Sequence, residues 1–394
     1  MGSVTSKDIK KYPLETLCDH DKGINCMAAS EDGSLLVTGS EDKTARLWDV
    51  SGPETECIGI MKGHTSYITC VAVHDTFIVT GAADSTLRKW DTISCDCLFT
   101  YRGHKGRISR VLCTGEYILS SSQDKTTKAW HVEEEILENL KGDADDIACI
   151  KTLEGHERAV YSLMVDPGEE DDTGTIGFGD LVVTGSLDCT ARSWDFVSGN
   201  CLQVFKGHTG CVVAIVTDTN SRLLYTASAD KTIRSWHIDT AVNFRVFEGH
   251  KSHITCLLAL NKLLYSGDGD GVVRVWDVTG RDTVKMGRQQ VVSVDSLTSF
   301  RPATNTINAI HLHNGMLFIV SSDNFARAVD AATREVLAVY TGHQIAVTCM
   351  AISGEHIYTG STDTTLRVWN IPKRRTEGEE SSSSSEEESE EGED

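Results

Sequence analysis

Short apolar runs alternate with polar turns along most of this 394-residue chain. Residues 20–49 hold three such runs in succession: INCMAA before the turn EDGS, LLVTGS before the turn EDK, and TARLWD at the end. Short apolar runs separated by Gly, Asp and Ser turns indicate strands of an antiparallel meander. The same order returns about every 40 residues, which predicts a repeat architecture. A further apolar run, such as CLFTYRGH, precedes each following unit and adds a fourth strand.

Each unit carries an Asp that is followed six residues later by one structural position, occupied by Trp in seven units. The pairs are Asp42/Trp48, Asp84/Trp90, Asp124/Trp130, Asp188/Trp194, Asp230/Trp236, Asp270/Trp276, Asp363/Trp369 and, without the Trp, Asp323/Val329. The residue two places before the Trp position is always basic: Arg46, Arg88, Lys128, Arg192, Arg234, Arg274, Arg327 and Arg367. Eight copies of this spacing predict eight repeats that stack into one body.

The charge of the chain limits its choice of partners. The 58 acids and 37 bases give a net charge of −21, and residues 376–394 hold ten acids and no base. General nucleic-acid binding needs a basic surface, so we expect no nucleic-acid partner. The balance still leaves room for a local basic patch.

The 13 cysteines predict free thiols rather than disulfides. Cys26, Cys70, Cys256 and Cys349 occupy one equivalent position in apolar surroundings, as buried thiols do. Cys95 and Cys97 form a C-x-C without the second pair that a zinc site needs. No signal peptide and no apolar run near 18 residues is present, so we expect a cytoplasmic protein, with the nucleus as a second location.

These spacings resemble those of the WD40 repeat family over about residues 9–371. Gly-His pairs end at His64, His104, His156, His208, His250 and His343, and His20 follows an Asp. The resemblance implies an all-β propeller, a ring of four-stranded blades around a channel. We predict eight blades, with seven, the commonest number in the family, as the alternative. The segment YPLETLCDH aligns with the fourth-strand pattern, so an N-terminal strand is predicted to close the last blade.

The resemblance also implies a chain of hydrogen bonds in each blade between His, a strand Ser or Thr, Asp and Trp. The matching sets include His20, Thr38, Asp42, Trp48; His64, Thr80, Asp84, Trp90; His104, Ser120, Asp124, Trp130; and His208, Thr226, Asp230, Trp236. A single set could suggest a hydrolase triad. Repetition with a Trp favours a structural role, so we predict no catalytic residue, cofactor or metal. The turn SGDGDGV around Asp270 is explained by the repeat.

The seventh unit departs from this pattern, since Ala303, Ile319 and Val329 replace its His, Thr and Trp. We expect that blade to be less well fixed and to depend on its neighbours. Insertions at 133–147, 166–180 and about 279–302 are expected on the face opposite the His and Asp turns. The first two are acidic, and they either bind a basic partner or form solvated loops. The third contains Arg281, Lys285, Arg288 and Arg301.

Both ends of the chain read as flexible segments. Residues 1–8 include Gly2, which fits an N-myristoylation pattern or is a coincidence of a leading MGS. Membrane contact is expected only if Gly2 is lipidated, and it would be reversible. Residues 372–394 read as a disordered acidic Ser/Glu tail, in which Ser385 and Ser389 precede acidic runs. These serines are phosphorylation candidates, unless the tail only increases solubility.

Family members bind protein or peptide partners on the narrow face around the channel. The matching candidates here are Tyr67, Thr69, Arg107, Arg110, Gln123, Tyr161, Leu187 and His253. Tyr and Arg are frequent anchor residues, and this set favours an acidic or phosphorylated peptide. We therefore predict a monomeric, non-enzymatic interaction scaffold. The alternatives are a substrate receptor of a ubiquitin ligase, disfavoured because no Trp-Asp-x-Arg motif occurs, and a reversibly membrane-associated signalling adaptor.

Overall fold

A computed structural model describes residues 10–74, 76–114, 117–133, 148–166, 181–218, 222–260, 262–279 and 291–372. These residues form 34 strands in eight sheets, and they contain no helix that could span a membrane. The sheets are the blades of one propeller, so the prediction of eight blades is confirmed and the alternative of seven is wrong.

The first four blades follow one another along the chain. Blade 1 comprises β3 (Ile24–Ala29), β4 (Leu35–Ser40), β5 (Thr44–Asp49) and β6 (Glu56–Lys62). Blade 2 comprises β7 (Ile68–His74), β8 (Phe77–Ala82), β9 (Leu87–Asp91) and β10 (Cys97–Tyr101). Blade 3 comprises β11 (Ile108–Thr114), β12 (Tyr117–Ser122), β13 (Thr127–His131) and β14 (Cys149–Leu153). Blade 4 comprises β15 (Val160–Asp166), β16 (Leu181–Ser186), β17 (Thr190–Asp195) and β18 (Cys201–Lys206).

The last four blades include strands from distant parts of the chain. Blade 5 comprises β19 (Val212–Asp218), β20 (Leu223–Ser228), β21 (Ile233–His237), β22 (Asn243–Phe247) and β26 (Val292–Val294). Blade 6 comprises β23 (Ile254–Leu260), β24 (Leu263–Asp268), β25 (Val273–Asp277) and β27 (Thr298–Phe300). Blade 7 comprises β28 (Ile307–His313), β29 (Met316–Ser321), β30 (Ala326–Asp330), β31 (Val336–Tyr340) and β1 (Lys10–Lys11). Blade 8 comprises β32 (Val347–Ser353), β33 (His356–Ser361), β34 (Leu366–Asn370) and β2 (Glu15–Leu17).

The described core lies at the seams between neighbouring blades. Eight apolar clusters fill the eight seams, including the one between blades 8 and 1. At the seam between blades 1 and 2, for example, Trp90 joins Leu47 and Met61 in one buried cluster. Because each blade buries apolar faces against both neighbours, the ring is closed by packing as well as by strand pairing.

The N-terminal segment closes the ring, as the sequence predicted. Strand β2 pairs antiparallel with β34, with Thr16 opposite Arg367, and becomes the outer strand of blade 8. Strand β1 adds a contact that the sequence did not predict, since Lys10 and Lys11 pair in parallel with Val339 and Tyr340 of blade 7. The segment therefore ties blade 7 to blade 8.

The third insertion behaves differently from its prediction. Residues 280–290, with Arg281, Lys285 and Arg288, lie outside the described residues. Residues 291–302 contain two paired strands instead of the predicted loop on the face opposite the His and Asp turns. Strand β26 pairs in parallel with β22 of blade 5, and β27 is the outer strand of blade 6. The apolar and β-branched residues of VVSV and TSF explain why this stretch pairs with strands instead of remaining solvated.

Candidate functional site

The repeated His, Asp and Trp side chains form buried hydrogen-bond networks. In blade 2, His64 Nδ1 lies 2.9 Å from Asp84 Oδ2, and His64 Nε2 lies 2.8 Å from Thr80 Oγ1. The indole N–H of Trp90 donates to the same Thr80 oxygen at 2.8 Å. Blades 1, 3, 4, 5 and 8 repeat this arrangement around His20, His104, His156, His208 and His343.

The partners of these groups explain why the networks are structural. A catalytic nucleophile would need a free hydroxyl. In blade 2 the Thr80 hydroxyl is hydrogen-bonded to both His64 and Trp90, and Thr80 is fully buried. The carboxylate of Asp84 also accepts hydrogen bonds from the backbone N–H groups of Thr65 and Thr86. Every polar atom has a fixed partner, so each network stabilises its blade and presents no open reaction centre.

The same contacts set the ionisation of the network carboxyls. Burial alone would raise the pKa of Asp84, but the His64 hydrogen bond and charge, with bonds from Thr86 and Thr65, hold it well below its usual range. The carboxyl pKa is lowered for similar reasons at Asp42, Asp124, Asp188, Asp230 and Asp363. Folding therefore favours the charged form of all these groups.

This arrangement predicts acid sensitivity. A carboxyl with a lowered folded pKa contributes stability that is present above the unfolded value of about 3.9 and is lost as the pH falls towards the folded value. We expect the urea midpoint of unfolding, measured at constant ionic strength, to fall as the pH drops from about 5 to about 2. An Asp84→Asn variant should show a shallower decline. A midpoint that stays constant over this range would contradict the account.

Blade 6 uses a different carboxylate from the one that the sequence spacing predicted. His250 Nδ1 lies 2.7 Å from Asp268 Oδ2, whereas the exposed Asp270 places only its backbone N–H on Asp268 Oδ1. Asp268 Oδ1 also accepts the backbone N–H of Val272. In most other blades this position is a Ser, which accepts the turn N–H, as Ser228 does. Asp268 therefore accepts the hydrogen bonds that a Ser and an Asp accept separately in other blades.

Blade 7 replaces its polar network with an apolar cluster and one ion pair. Ala303, Ile319 and Val329 are buried together at the seam with blade 6. Asp323 is held instead by Arg327, which donates to both carboxylate oxygens at 2.9 and 2.8 Å. Burial alone would raise the pKa of Asp323, but the Arg327 bonds lower it. The expected support from a neighbouring blade takes the form of this apolar cluster.

The predicted docking residues occupy several different positions within their blades. Tyr67, Arg107 and His253 directly precede inner strands, and their backbone carbonyls accept hydrogen bonds from the turn residues Ala83, Gln123 and Gly269. Leu187 lies in the corresponding turn of blade 4, where its N–H donates to Ala159. Thr69, Arg110 and Tyr161 lie within the inner strands β7, β11 and β15.

The structure brings only part of this set together. Arg107 Nη1 donates to the hydroxyl of Tyr67 at 3.2 Å, which joins blades 2 and 3. His253 lies in blade 6, where a Cβ on Gly269 would come within 2.4 Å of its ring. His253 therefore belongs to a separate part of the rim.

Thr69 has a structural partner rather than a free side chain. Its hydroxyl bonds to the carbonyls of Ile108 and Gly81 at 2.8 and 3.0 Å, and so links blade 2 to blade 3. The residues at the same position in blades 1, 6, 7 and 8 also donate to the next blade: Asn25, Thr255, Asn308 and Thr348. In blade 3 this position is Ser109, whose buried hydroxyl has no partner within the described residues. In blades 4 and 5 the position is occupied by Tyr161 and Val213.

Blade 3 carries a concentration of bases at this interrupted part of the rim. We define the blade-3 basic patch as Lys105, Arg107, Arg110 and Lys125, of which all but Arg107 are exposed. The turn acid of this blade, Asp124, is already paired with His104 at 2.7 Å. The Arg107 Nε is buried and has no partner among the described residues. The patch can therefore supply guanidinium and ammonium donors to an anionic ligand.

Eight of the 13 cysteines fall into two structural classes. Burial raises the pKa of Cys70, Cys256 and Cys349 to about 11, and raises that of Cys26 well above its usual value. A second class was not predicted: Cys57, Cys97, Cys149 and Cys201 each lie opposite the Trp of their blade and within 3.6–3.8 Å of its repeat base. Cys97 and Cys201 of this class are exposed, as is Cys18.

These two classes predict an uneven response to thiol reagents. Since the thiolate is the reactive form, exposed thiols should react first and the buried thiols with raised pKa only after unfolding. We expect Cys18, Cys97 and Cys201 to be modified first by a chromogenic disulfide, with sites read by mass spectrometry. Cys97→Ser should remove one fast equivalent. Rapid modification of Cys70 or Cys256 in the folded protein would be inconsistent with this structure.

Several predicted sites lie outside the described residues. They are Gly2, Ser385, Ser389, the acidic insertion residues 134–147 and 167–180, and the tail from 373 onward. Within the described ranges, no group of three or more His, Cys, Asp or Glu side chains is placed to hold a metal ion.

The family model for the WD domain, G-beta repeat (WD40) matches most of the chain. The matched residues are 11–49, 55–91, 95–131, 147–195, 199–237, 242–277 and 334–370. Strands β28–β30 of blade 7 fall between the last two matched segments, in agreement with the loss of His and Trp there.

Similar proteins include human WD repeat-containing protein 86, 44% identical over 206 residues, which are 52% of this chain and 52% of that protein. Mitochondrial division protein 1 of Schizosaccharomyces pombe is 25% identical over 268 residues, 66% of this chain and 30% of that protein. The chain thus spans about half or less of the curated relatives it matches. The crystal structure of the computationally designed protein Ika8 covers 92% of this chain and 100% of its own, with a TM-score of 0.71 and 25% identity.

Proposed function

The chain belongs to the WD40 repeat family, whose propellers are generally protein-interaction scaffolds, and from that premise we propose that it is a non-enzymatic adaptor that binds an acidic or phosphorylated peptide segment at the blade-3 basic patch. The fold is typically non-enzymatic, and the seven His-centred networks are internally satisfied. The binding chemistry therefore has to come from side chains outside the networks.

The observation that carries this proposal is the charge of the blade-3 turns. Where the turns of blade 1 have Asp21, Lys22, Glu41 and Lys43, those of blade 3 have Lys105, Gly106, Gln123 and Lys125. The acid of these blade-3 turns, Asp124, is already paired with His104. In a chain of net charge −21, such a patch has a local potential opposite to that of the whole molecule. Arginine is well suited to carboxylate and phosphate groups because its guanidinium donates two parallel hydrogen bonds.

Tyr67 and Tyr161 supply the apolar side of this surface. Tyr67 is 37% exposed although its hydroxyl is engaged by Arg107, so its ring is presented beside the guanidinium. Tyr161 lies in blade 4, at the inner-strand position that Thr69 occupies in blade 2. An aromatic ring beside a guanidinium is the combination found at binding hot spots.

Peptide binding tests the proposal directly. We expect a labelled nine-residue peptide with a central phosphoserine to bind, a Glu version to bind more weakly, and an Ala version to bind least, as measured by fluorescence anisotropy. Arg107→Ala should weaken phosphopeptide binding at least about tenfold, because a hydrogen bond to a charged group contributes about 1.5–3 kcal/mol. Binding should also weaken with added salt.

The repeat offers a matched control for this experiment. Lys125 in blade 3 and Lys231 in blade 5 occupy the same turn position with φ values of 77° and 73°. Asn tolerates this conformation and occupies it at Asn324, so Lys125→Asn and Lys231→Asn are equivalent in backbone strain. Only Lys125→Asn should weaken binding. Equally weak effects of Tyr67→Ala, Arg107→Ala, Tyr161→Ala and His253→Ala would count against the narrow face.

A further inference from the structure

The outer edges of the blades provide a second kind of surface, distinct from the narrow face. In blades 5 and 7 the outer strand already accepts an added parallel strand from elsewhere in the chain. Arg245, Val246 and Phe247 pair with Val292, Ser293 and Val294. Val339 and Tyr340 pair with Lys10 and Lys11. Two outer edges of the propeller therefore already pair with short parallel segments.

Alignment of the outer strands shows which side chains lie on the strands that accept these added strands. Phe244 and Val246 in blade 5, and Leu337 and Val339 in blade 7, occupy two alternate positions on one face of the outer strand. All four are partly or fully buried, and Val246 is only 8% exposed. Alternate residues of a strand share one face, so the two positions form a short apolar row.

Blade 1 has the same apolar row, but no described strand is added beside it. Ile58 and Ile60 of β6 occupy the two positions and are 48% and 38% exposed. Strand β6 has seven residues and pairs only with β5 among the described strands, so its outer edge has no strand partner there. A long, exposed, apolar edge without proline is a template for strand addition.

We propose that the outer edge of β6 binds an extended segment of a partner protein, which adds to blade 1 as a parallel fifth strand beside Gly59, Ile60 and Met61. These are the positions equivalent to the paired residues of blade 5. Backbone hydrogen bonds would give affinity, and Ile58 and Ile60 would select apolar side chains. The site lies on the outer edge of blade 1, apart from the blade-3 basic patch, and does not depend on it.

Charge further defines the segment. Exposed Glu54 and Glu56 lie at the beginning of β6, and exposed Lys62 lies at its end. A parallel segment must pass the two acids first, so it should carry bases before its apolar residues and an acid after them. The added strands of the chain carry charges of both kinds, since β1 consists of two lysines at the paired positions and Asp295 follows β26.

A partner segment fits this edge better than a second copy of the chain. Both internal examples are short and parallel, whereas edge-to-edge pairing of identical strands is usually antiparallel. The net charge of −21 also opposes self-association.

Methyl NMR of the full chain tests the proposal with a defined probe. The probe is the hexapeptide Lys-Lys-Val-Ser-Val-Asp, and its charge-reversed control is Asp-Asp-Val-Ser-Val-Lys. We expect saturable shifts of the Ile58 and Ile60 methyl signals, with no shift at Ile93, which is 91% exposed in blade 2. The control should bind at least about tenfold more weakly, which corresponds to about 1.4 kcal/mol.

Variants separate this site from the narrow face. The double variant Ile58→Ser, Ile60→Ser should lose the shifts and remain folded, because both side chains are exposed. Ile93→Ser and Arg107→Ala should bind the hexapeptide like the wild type. The proposal is overturned by absent shifts, by equal binding of the two peptides, or by wild-type self-association in sedimentation experiments that the double variant loses, since a second copy would then occupy the edge.

Discussion

Replacing Asp268 with Ala is expected to lower the free energy of unfolding by about 3–5 kcal/mol, because three hydrogen-bond partners lose a buried acceptor at a cost of about 1–3 kcal/mol each. The variant leaves His250 buried without its carboxylate and also removes the acceptor of the Asp270 and Val272 N–H groups. Unfolding by urea, followed by tryptophan fluorescence, measures the change, because Trp276 belongs to the same network.

Asp270→Ala is the matched control for this experiment. Its carboxylate is exposed and only its backbone N–H contacts Asp268, so the free energy of unfolding should change by no more than about 0.5 kcal/mol. If Asp270→Ala were the more damaging of the two substitutions, the carboxylate assignment in blade 6 would be wrong.

Arg327→Leu in blade 7 is the second substitution with a large expected effect. The guanidinium pairs with Asp323 through two hydrogen bonds, and both side chains are less than one tenth exposed. Removing the base leaves a buried carboxylate, with an expected loss of about 3–5 kcal/mol in the free energy of unfolding. Arg88→Leu, at the same repeat position, should cost about 1 kcal/mol, because Asp84 keeps its His64 partner.

A double substitution tests whether the ion pair is the cause. Asp323→Ser combined with Arg327→Leu should recover at least about 1 kcal/mol relative to Arg327→Leu, since no unpaired charge remains. Additive losses in the double variant would show that Arg327 acts mainly through its contact with the Phe325 ring.

The regular part of the architecture could be predicted because it rests on local spacing. The interval between Asp and Trp reflects one hairpin, in which Trp90 lies opposite Ile78 and its indole meets Thr80 on the preceding strand. The same hairpin recurs in each unit, so the number of blades and six of the hydrogen-bond networks could be predicted from the sequence. The antiparallel position of β2 followed from its likeness to other outer strands.

The carboxylate of blade 6 and the added strands β1 and β26 could not be predicted, because they depend on three-dimensional geometry and not on the spacing of residues. In blade 6 two acids stand two residues apart, and the spacing to Trp276 selects Asp270. The buried end of β24 instead directs Asp268 towards His250. The available signal was an Asp at a position that most other units fill with Ser. Strands β1 and β26 are two and three residues long and pair with distant strands, so no periodicity could identify them.

The docking surface was predictable only in outline. Tyr67 and Arg107 were selected by their place before an inner strand, and their mutual hydrogen bond arises because neighbouring blades bring equivalent positions together. Thr69 lies two residues after Tyr67 within the inner strand, but its hydroxyl joins two blades. Which rim residues have side chains free for a partner therefore depends on contacts between blades.

Hydrogen–deuterium exchange with and without the phosphoserine peptide tests the central claim most directly. At saturating peptide, slower exchange is predicted for residues 64–69 and 104–110, with unchanged exchange in β6 and around His253. Protection confined to the outer strands or to blade 6, or no protection at saturation, would contradict a partner site at the blade-3 basic patch.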